Sequence, residues 1–317
     1  MSILTRRAVL AAKIEAVEGT AETLAAGDAN FLVTDPKWEP DIPMFQRQNV
    51  DGSLSSFVAV PGTQRAVISF KVELKGSGAA GTAPALGKLL KACGFGETVV
   101  GGASVTYAPI SISIPSLTMA LYMGPDGAGN GKRYQIRGAR GTCKYVGKDG
   151  DPGVFEFTFS GVHDGATDQA LLTGTGLETV LPPALLTAAF TIAAFAAKVQ
   201  GLSFDVGNRV AMRSDINKAE GFFSALITGR DMKGSVDPEE ELATAHDFWT
   251  RWKAGTTGVL TWKHGATAGN ICTFSAPVCQ YVKGAIGDRD GIATVGLDFM
   301  LARSAAAGND EISIAFT

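Results

Sequence analysis

From Val67 to Lys75 apolar and polar positions alternate. Ile68, Phe70, Val72 and Leu74 point one way, and Ser69, Lys71, Glu73 and Lys75 the other. A period of two with one polar set predicts a strand with one wet face. Beyond a glycine-rich hinge, Pro84 suits the first turn of a helix, where its missing N–H costs nothing. Leu86, Leu89, Leu90 and Cys93 form the apolar stripe of that helix, and Gly94 stops it as a left-handed C-cap residue. The same alternation returns at Phe155, Phe157 and Phe159, against Glu156, Thr158 and Ser160.

Around this unit the pattern predicts more strands. Leu117 to Met123 is continuously apolar, as a strand buried on both faces would be. Asp126-Gly127 and Asn130-Gly131 are hairpin turn signals. Lys132 to Arg137, Gly141 to Val146 and Val154 to Ser160 read as separate strands, and Ser104 to Tyr107 is β-prone. Phe31 to Glu39 is interrupted by Pro36 and reads as an edge strand. Pro43 to Arg65 reads as a long loop, of the kind that is functional or disordered. Residues 1–30 read as an N-terminal arm.

The second half repeats this order. Phe190 to Phe195 and Lys198 to Val206 read as strands, and Leu202 to Val206 matches the run beginning at Leu32. Gly207 to Arg230 takes the place of the long loop, with Arg213 answering Arg47, and Asp231 to Asp237 takes the place of the alternating strand. A helix from Thr244, with Asp247 forming a capping-box-like start, carries the stripe Ala245, Phe248, Trp249, Trp252 and ends before Gly255. A β segment follows at Cys272 to Pro277, as one does at Val105 to Pro109. Thr294 to Met300 closes the half as Phe155 to Phe159 closes the first. The chain is thus expected to be mainly β, built by internal duplication: an arm (1–30), a first domain (31–160), a linker (161–187) and a second domain (188–317).

Composition narrows the function more than it names one. Among 317 residues there are 39 glycines, 19 % charged residues and a net charge of −3, which argues against tight non-specific nucleic-acid binding. Cys93, Cys143, Cys272 and Cys279 lack C-x-x-C spacing and read as structural thiols of a reducing compartment. Three scattered histidines suggest no metal site. Thr5-Arg6-Arg7 opens a faint export-like pattern, but Lys13, Glu15 and Glu18 cut its apolar run short, so a cytosolic start is expected. The uncharged run from Thr179 to Ala197 is weakly hydrophobic and holds Pro182-Pro183, as a linker and strand would rather than a membrane span.

Candidate chemistry is sparse. Gly76 to Gly81 spells G-x-G-x-x-G between a strand and a helix, the pattern of a dinucleotide site. The strand has a wet face, the helix begins after the motif, and no acidic residue follows at the ribose-binding distance, so a flexible connector is expected. His163-Asp164 near Ser160 reads as a polar strand end, and Asp288 to Gly291 as a turn. Phe248, Trp249 and Trp252 read as core, and Arg133, Arg137 and Arg140 as charges on an exposed strand. No G-x-S-x-G, H-E-x-x-H, Walker lysine or EF-hand loop is present. No enzyme activity and no cofactor are expected.

Several ordered blocks carry a resemblance. VELKGSGAAGTAPALGKLLKACGF with SVTYAPIS, AGTTGVLTWKHGATAGNICTFSAPVCQ with GDRDGIATVGLDFMLA and GNDEISIAF, and the opening AVLAAKIEAVEGTAE together resemble the tail tube proteins of long-tailed phages and prophages. The resemblance implies two tandem tail-tube-like β-sandwich domains, each with one flanking α-helix, whose inner sheets join neighbours into a closed β-barrel. Barrel bore grows with strand number, and a duplex-wide bore needs roughly two dozen strands, or six domains giving about four each. A duplicated subunit reaches that in a homotrimeric, pseudo-hexameric ring, and stacked rings form a tube. The implied partners are further copies of the chain, tail terminator, tape measure and distal tail proteins, and double-stranded DNA passing through the lumen without specific binding; no membrane partner is implied. The implied location is the virion, after synthesis in the bacterial cytoplasm. Phe45, Arg47, Asn49, Asp51, Leu54, Phe57 and Val60 of the first loop, with Arg213, Asp215, Phe222 and Phe223 of the second, are expected at inter-ring or inter-subunit contacts. A tail terminator or connector ring, a surface adhesin and a nucleotide-dependent enzyme using Gly76–Gly81 are the alternatives.

Overall fold

A computed structural model describes residues 2–317. The first half contains β1 (Ile3–Ile14), β2 (Thr34–Asp41), the short pair β3 (Met44–Phe45) and β4 (Val60–Pro61), β5 (Arg65–Glu73), helix α1 (Gly87–Ala92), β6 (Phe95–Val100), β7 (Ser104–Pro109), β8 (Leu117–Pro125), β9 (Gly131–Lys148) and β10 (Val154–Gln169). The second contains β11 (Thr191–Ile192), β12 (Gly201–Asp205), β13 (Arg209–Ser214), β14 (Phe222–Gly229), β15 (Lys233–Val236), helix α2 (Phe248–Ala254), β16 (Thr257–His264), β17 (Cys272–Arg289), β18 (Ile292–Leu301) and β19 (Ser313–Phe316). The protein is mainly β, with one 15-stranded sheet that does not close on itself.

The alternating strand folds as its pattern dictates. Ile68, Phe70 and Val72 of β5 are buried and stand opposite Phe159, Phe157 and Phe155 of β10. The Phe70 and Phe157 rings stack at 5.6 Å. On the wet face, Lys71 pairs with Glu156 at 3.1 Å. Leu86, Leu89, Leu90 and Cys93 are all buried, and Gly94 has the left-handed φ of 88° that its position demands. In the second half the helix starts later than expected. Asp247, not Thr244, is the N-cap, its side chain accepting from Thr250 N at 2.8 Å, because a short acceptor immediately before the first turn satisfies an otherwise orphaned donor. Of the expected stripe, only Phe248 is buried and Trp252 is 37 % exposed.

Three expectations are corrected. Residues Ile3–Ile14 are no free arm: β1 pairs with β8, and Leu10, Ala11 and Ala12 are buried. Small side chains there let β1 lie close on a neighbour that is buried on both faces. The strands expected at Lys132–Arg137 and Gly141–Val146 are one strand, β9. Between them lies a bulge where Gly138, at φ +59°, and Ala139 oppose Gly161; the extra residue bends the ladder without ending it. The second long loop, Gly207 to Arg230, is an ordered hairpin of β13 and β14.

The two halves share one core. Tyr145 of β9 and Phe155 of β10 meet Phe204, Trp262 and Phe274 of the second half, with Tyr145 5.6 Å from Phe204 and 4.9 Å from Phe274. β10 runs on to Gln169, into the segment expected as a linker, and β19 pairs with both β17 and β7, tying the end of the described chain to the first half.

Candidate assembly interface

Within the sheet, eight strands follow one another in the order β2-β5-β10-β9-β12-β15-β18-β17. Each group of four has the same internal order: first, second, fourth and third in the chain. The likeness extends to residue register. Trp38 pairs with Ile68 as Phe204 pairs with Gly234, and Phe45 with Val60 as Ala211 with Leu226. One offset, 204 − 38 = 166, relates all four pairs. The strand–hairpin–strand units are therefore of equal length, and the second repeats the first position by position. The matching run begins four residues later than Leu32, since Leu202 corresponds to Pro36.

The fourth and fifth strands of this run form a seam between the repeats. β12 docks on the last residues of β9, with Phe204 opposite Tyr145 and Asp205 opposite Lys144. Hairpin β13–β14 then folds back over the first half. Arg140, with only 7 % of its side chain exposed, gives hydrogen bonds to Ile114 O (3.0 and 2.7 Å), to Ala225 O and to Glu18 (2.9 Å). Ser224 also donates to Glu18, at 2.6 Å. The hydrogen bond from Arg140 holds the Glu18 carboxyl below the usual carboxylate range. Asn208 donates to Cys93 O, at the end of α1, and to Gly141 O. Gly138 makes the close approach possible, since a Cβ there would stand 2.9 Å from the Ser224 backbone.

The outer ends of the run have no such partner in the chain. β2 pairs on one side only, with β5. β17 pairs along its far half with β18, while the opposite edge is covered by β16 only as far as Gln280. Its last residues thus present an open edge, with Ile286 74 % exposed.

The residues expected at contacts divide into two groups. Phe45 and Val60 pair in β3–β4 and are largely exposed; beyond them Arg47 lies over the Phe57 ring at 5.3 Å, and Asn49, Asp51 and Leu54 extend into solvent. Arg213 lies over Phe223 at 4.7 Å, Asp215 accepts from Asn217 N at 2.9 Å, and Phe222 and Phe223 are half-buried. The second group belongs to a hairpin already seated on its own chain; only the first is bare. The pattern of the sequence did not single out the seam residues Arg140, Glu18 and Asn208, or the open edges. Arg140, expected with Arg133 and Arg137 on an exposed strand, is instead buried in the seam, because the second hairpin folds over it; nothing local distinguishes it from its basic neighbours on β9.

Other candidates resolve into structure. Gly76 N donates to Asn270 Oδ1 at 2.8 Å and Gly78 N to Gly269 O at 3.0 Å. The glycine motif spends these donors on the second half, and Gly269 and Gly78 touch backbone to backbone. Among the described residues no group of three or more His, Cys, Asp or Glu side chains is placed to hold a metal ion. Among the described residues no helix is long and apolar enough to cross a membrane. No family model matches the chain, and no curated protein matches it.

Proposed function

We propose that the protein is a self-assembling structural subunit, the tail tube protein of a long-tailed phage or prophage, whose rings stack into the conduit for DNA. One observation carries this reading. The chain joins two copies of a four-strand unit through the β9–β12 seam and leaves the complementary edges, β2 and the end of β17, unpaired. Repeating that seam between copies continues the sheet. Three copies would contribute 24 strands, eight from each, the strand number that a bore wide enough for a duplex calls for. Closure would also remove the open edges, which are otherwise an aggregation hazard.

The wet face suits a lumen. Charges of both signs are interspersed on it: Lys71 lies 3.1 Å from Glu156, Lys233 2.5 Å from Asp231 and Lys283 3.9 Å from Asp298. A balanced wall gives phosphates no continuous basic track on which to stall. The exposed first loop, with Val50, Leu54 and Val58 almost wholly in solvent, is a ready contact for another copy.

Electron microscopy of the purified protein, with mass measurement in solution, tests the reading. Trimeric rings or tubes are expected. A protein that stays monomeric at all concentrations, or forms an open aggregate with no ring, overturns it. Single rings that never stack would favour a terminator or connector.

A further inference from the structure

The repeat fixes the register of the contact between copies, an inference that rests on the assembly reading above. The offset carries from strand to strand. Ile68 corresponds to Gly234, and these pair with Phe159 and Phe299 respectively. In the next pairing, Phe157 faces Cys143 and Leu297 faces Gly284, while Phe155 faces Tyr145 and Val295 faces Ile286. Ile286 is therefore the counterpart of Tyr145. Within the chain Tyr145 receives Phe204, and the counterpart of Phe204 is Trp38. We infer that β17 of one copy receives β2 of the next, antiparallel, with Trp38 opposite Ile286 and Glu39 opposite Ala285.

The chemistry at those positions is complementary. Ile286, exposed in the single chain, gains the half-buried indole of Trp38. Asp205 of the internal seam lies 3.5 Å from Thr142 Oγ1; the counterparts are Glu39 and Lys283. Lys283 is 71 % exposed and holds Asp298 only at 3.9 Å, so its ammonium can take a second carboxylate from the next copy.

The same comparison shows why this edge does not capture any passing strand. Val206 N donates to Cys143 O. By alternation Leu202 and Phe204 also aim their N–H groups at β9. The counterparts of Leu202, Phe204 and Val206 are Pro36, Trp38 and Pro40. Two of these have no N–H, so of roughly six bonds in three hydrogen-bonded pairs about four remain. The seam between copies is the weaker one, and it depends on the side-chain matches for its register.

Cysteine pairing tests this. Glu39 and Ala285 fall at a non-hydrogen-bonded pair, where Cα atoms stand about 4.5 Å apart, within disulfide reach. All four native cysteines are buried, and both positions are exposed. Under mild oxidation the double variant E39C/A285C is expected to give a covalent ladder ending at the trimer and reversed by reductant, with neither single variant doing so. K37C/A285C places the thiols two residues out of register, about 8 Å apart, and is expected to stay uncross-linked. Rings or tubes by microscopy with no E39C/A285C ladder, or with a K37C/A285C ladder instead, overturn the register and leave the assembly reading standing. Wild-type protein that never leaves the monomer, with no cross-link in either variant, overturns both. Circular dichroism of each variant verifies that the fold is kept.

Discussion

The guanidinium of Arg213 lies 4.7 Å from the centre of the Phe223 ring, and 166 residues earlier Arg47 lies 5.3 Å from Phe57 in the same way. One cation–π pair thus marks both hairpins, but in different surroundings. Arg213→Ala should cost about 0.5–1 kcal/mol, because its hairpin is packed on the chain. Arg47→Ala should leave monomer stability unchanged, because its hairpin is bare. Urea titration of both monomers checks the contrast; equal losses would mean that the first hairpin also packs in the single chain.

Removing residues 50–60 should leave a folded protein that cannot polymerise, since this stretch is exposed and adds nothing to the core. Far-ultraviolet dichroism should match the wild type while microscopy shows no tubes. Normal tubes from the deletion would sink the assignment of this loop to contacts.

Tyr145, Phe155, Phe204, Trp262 and Phe274 form one aromatic cluster across the seam. Both halves should therefore melt together in a single calorimetric transition, and Phe204→Ala should lower stability by about 3–5 kcal/mol without splitting it. Two separate transitions would show that the halves fold independently.

Arg140→Met removes the donor that serves Ile114 O, Ala225 O and Glu18. Stranding these acceptors should cost on the order of 3 kcal/mol and loosen the second hairpin, read as faster hydrogen exchange between residues 209 and 229. Unchanged exchange there would place the hairpin's stability elsewhere.

His264 is buried beside the Tyr145 hydroxyl, and desolvation lowers its pKa to about 4. In the unfolded chain the same ring takes up a proton near pH 6.5. As pH falls from about 6.5 towards 4, the unfolded state gains a proton that the folded state refuses, so stability should fall through that window and level off below it. His264→Gln should flatten this part of the profile, measured by denaturant unfolding at pH 7 and pH 5. An unchanged slope would assign it to other groups.

Much of the fold is legible in the chain itself. Alternation at Ile68–Leu74 and Phe155–Phe159 sets which face is buried, Gly94 and Gly255 end their helices in left-handed geometry, and the order of elements announces a duplication. These are local properties, carried by spacing and by residues with special backbone freedom. The sequence could not say that Gly138 marks a bulge rather than a turn. Nor could it say that the second hairpin is seated while the first is bare, or that Arg140 among several arginines is the one enclosed. Each depends on which distant segment arrives: β12 against β9, Ser224 against Gly138, Ala225 against Arg140. Hydrophobic periodicity fixes the side of a strand that faces inward, whereas only tertiary pairing fixes which strand lies beside it and which edge is left open.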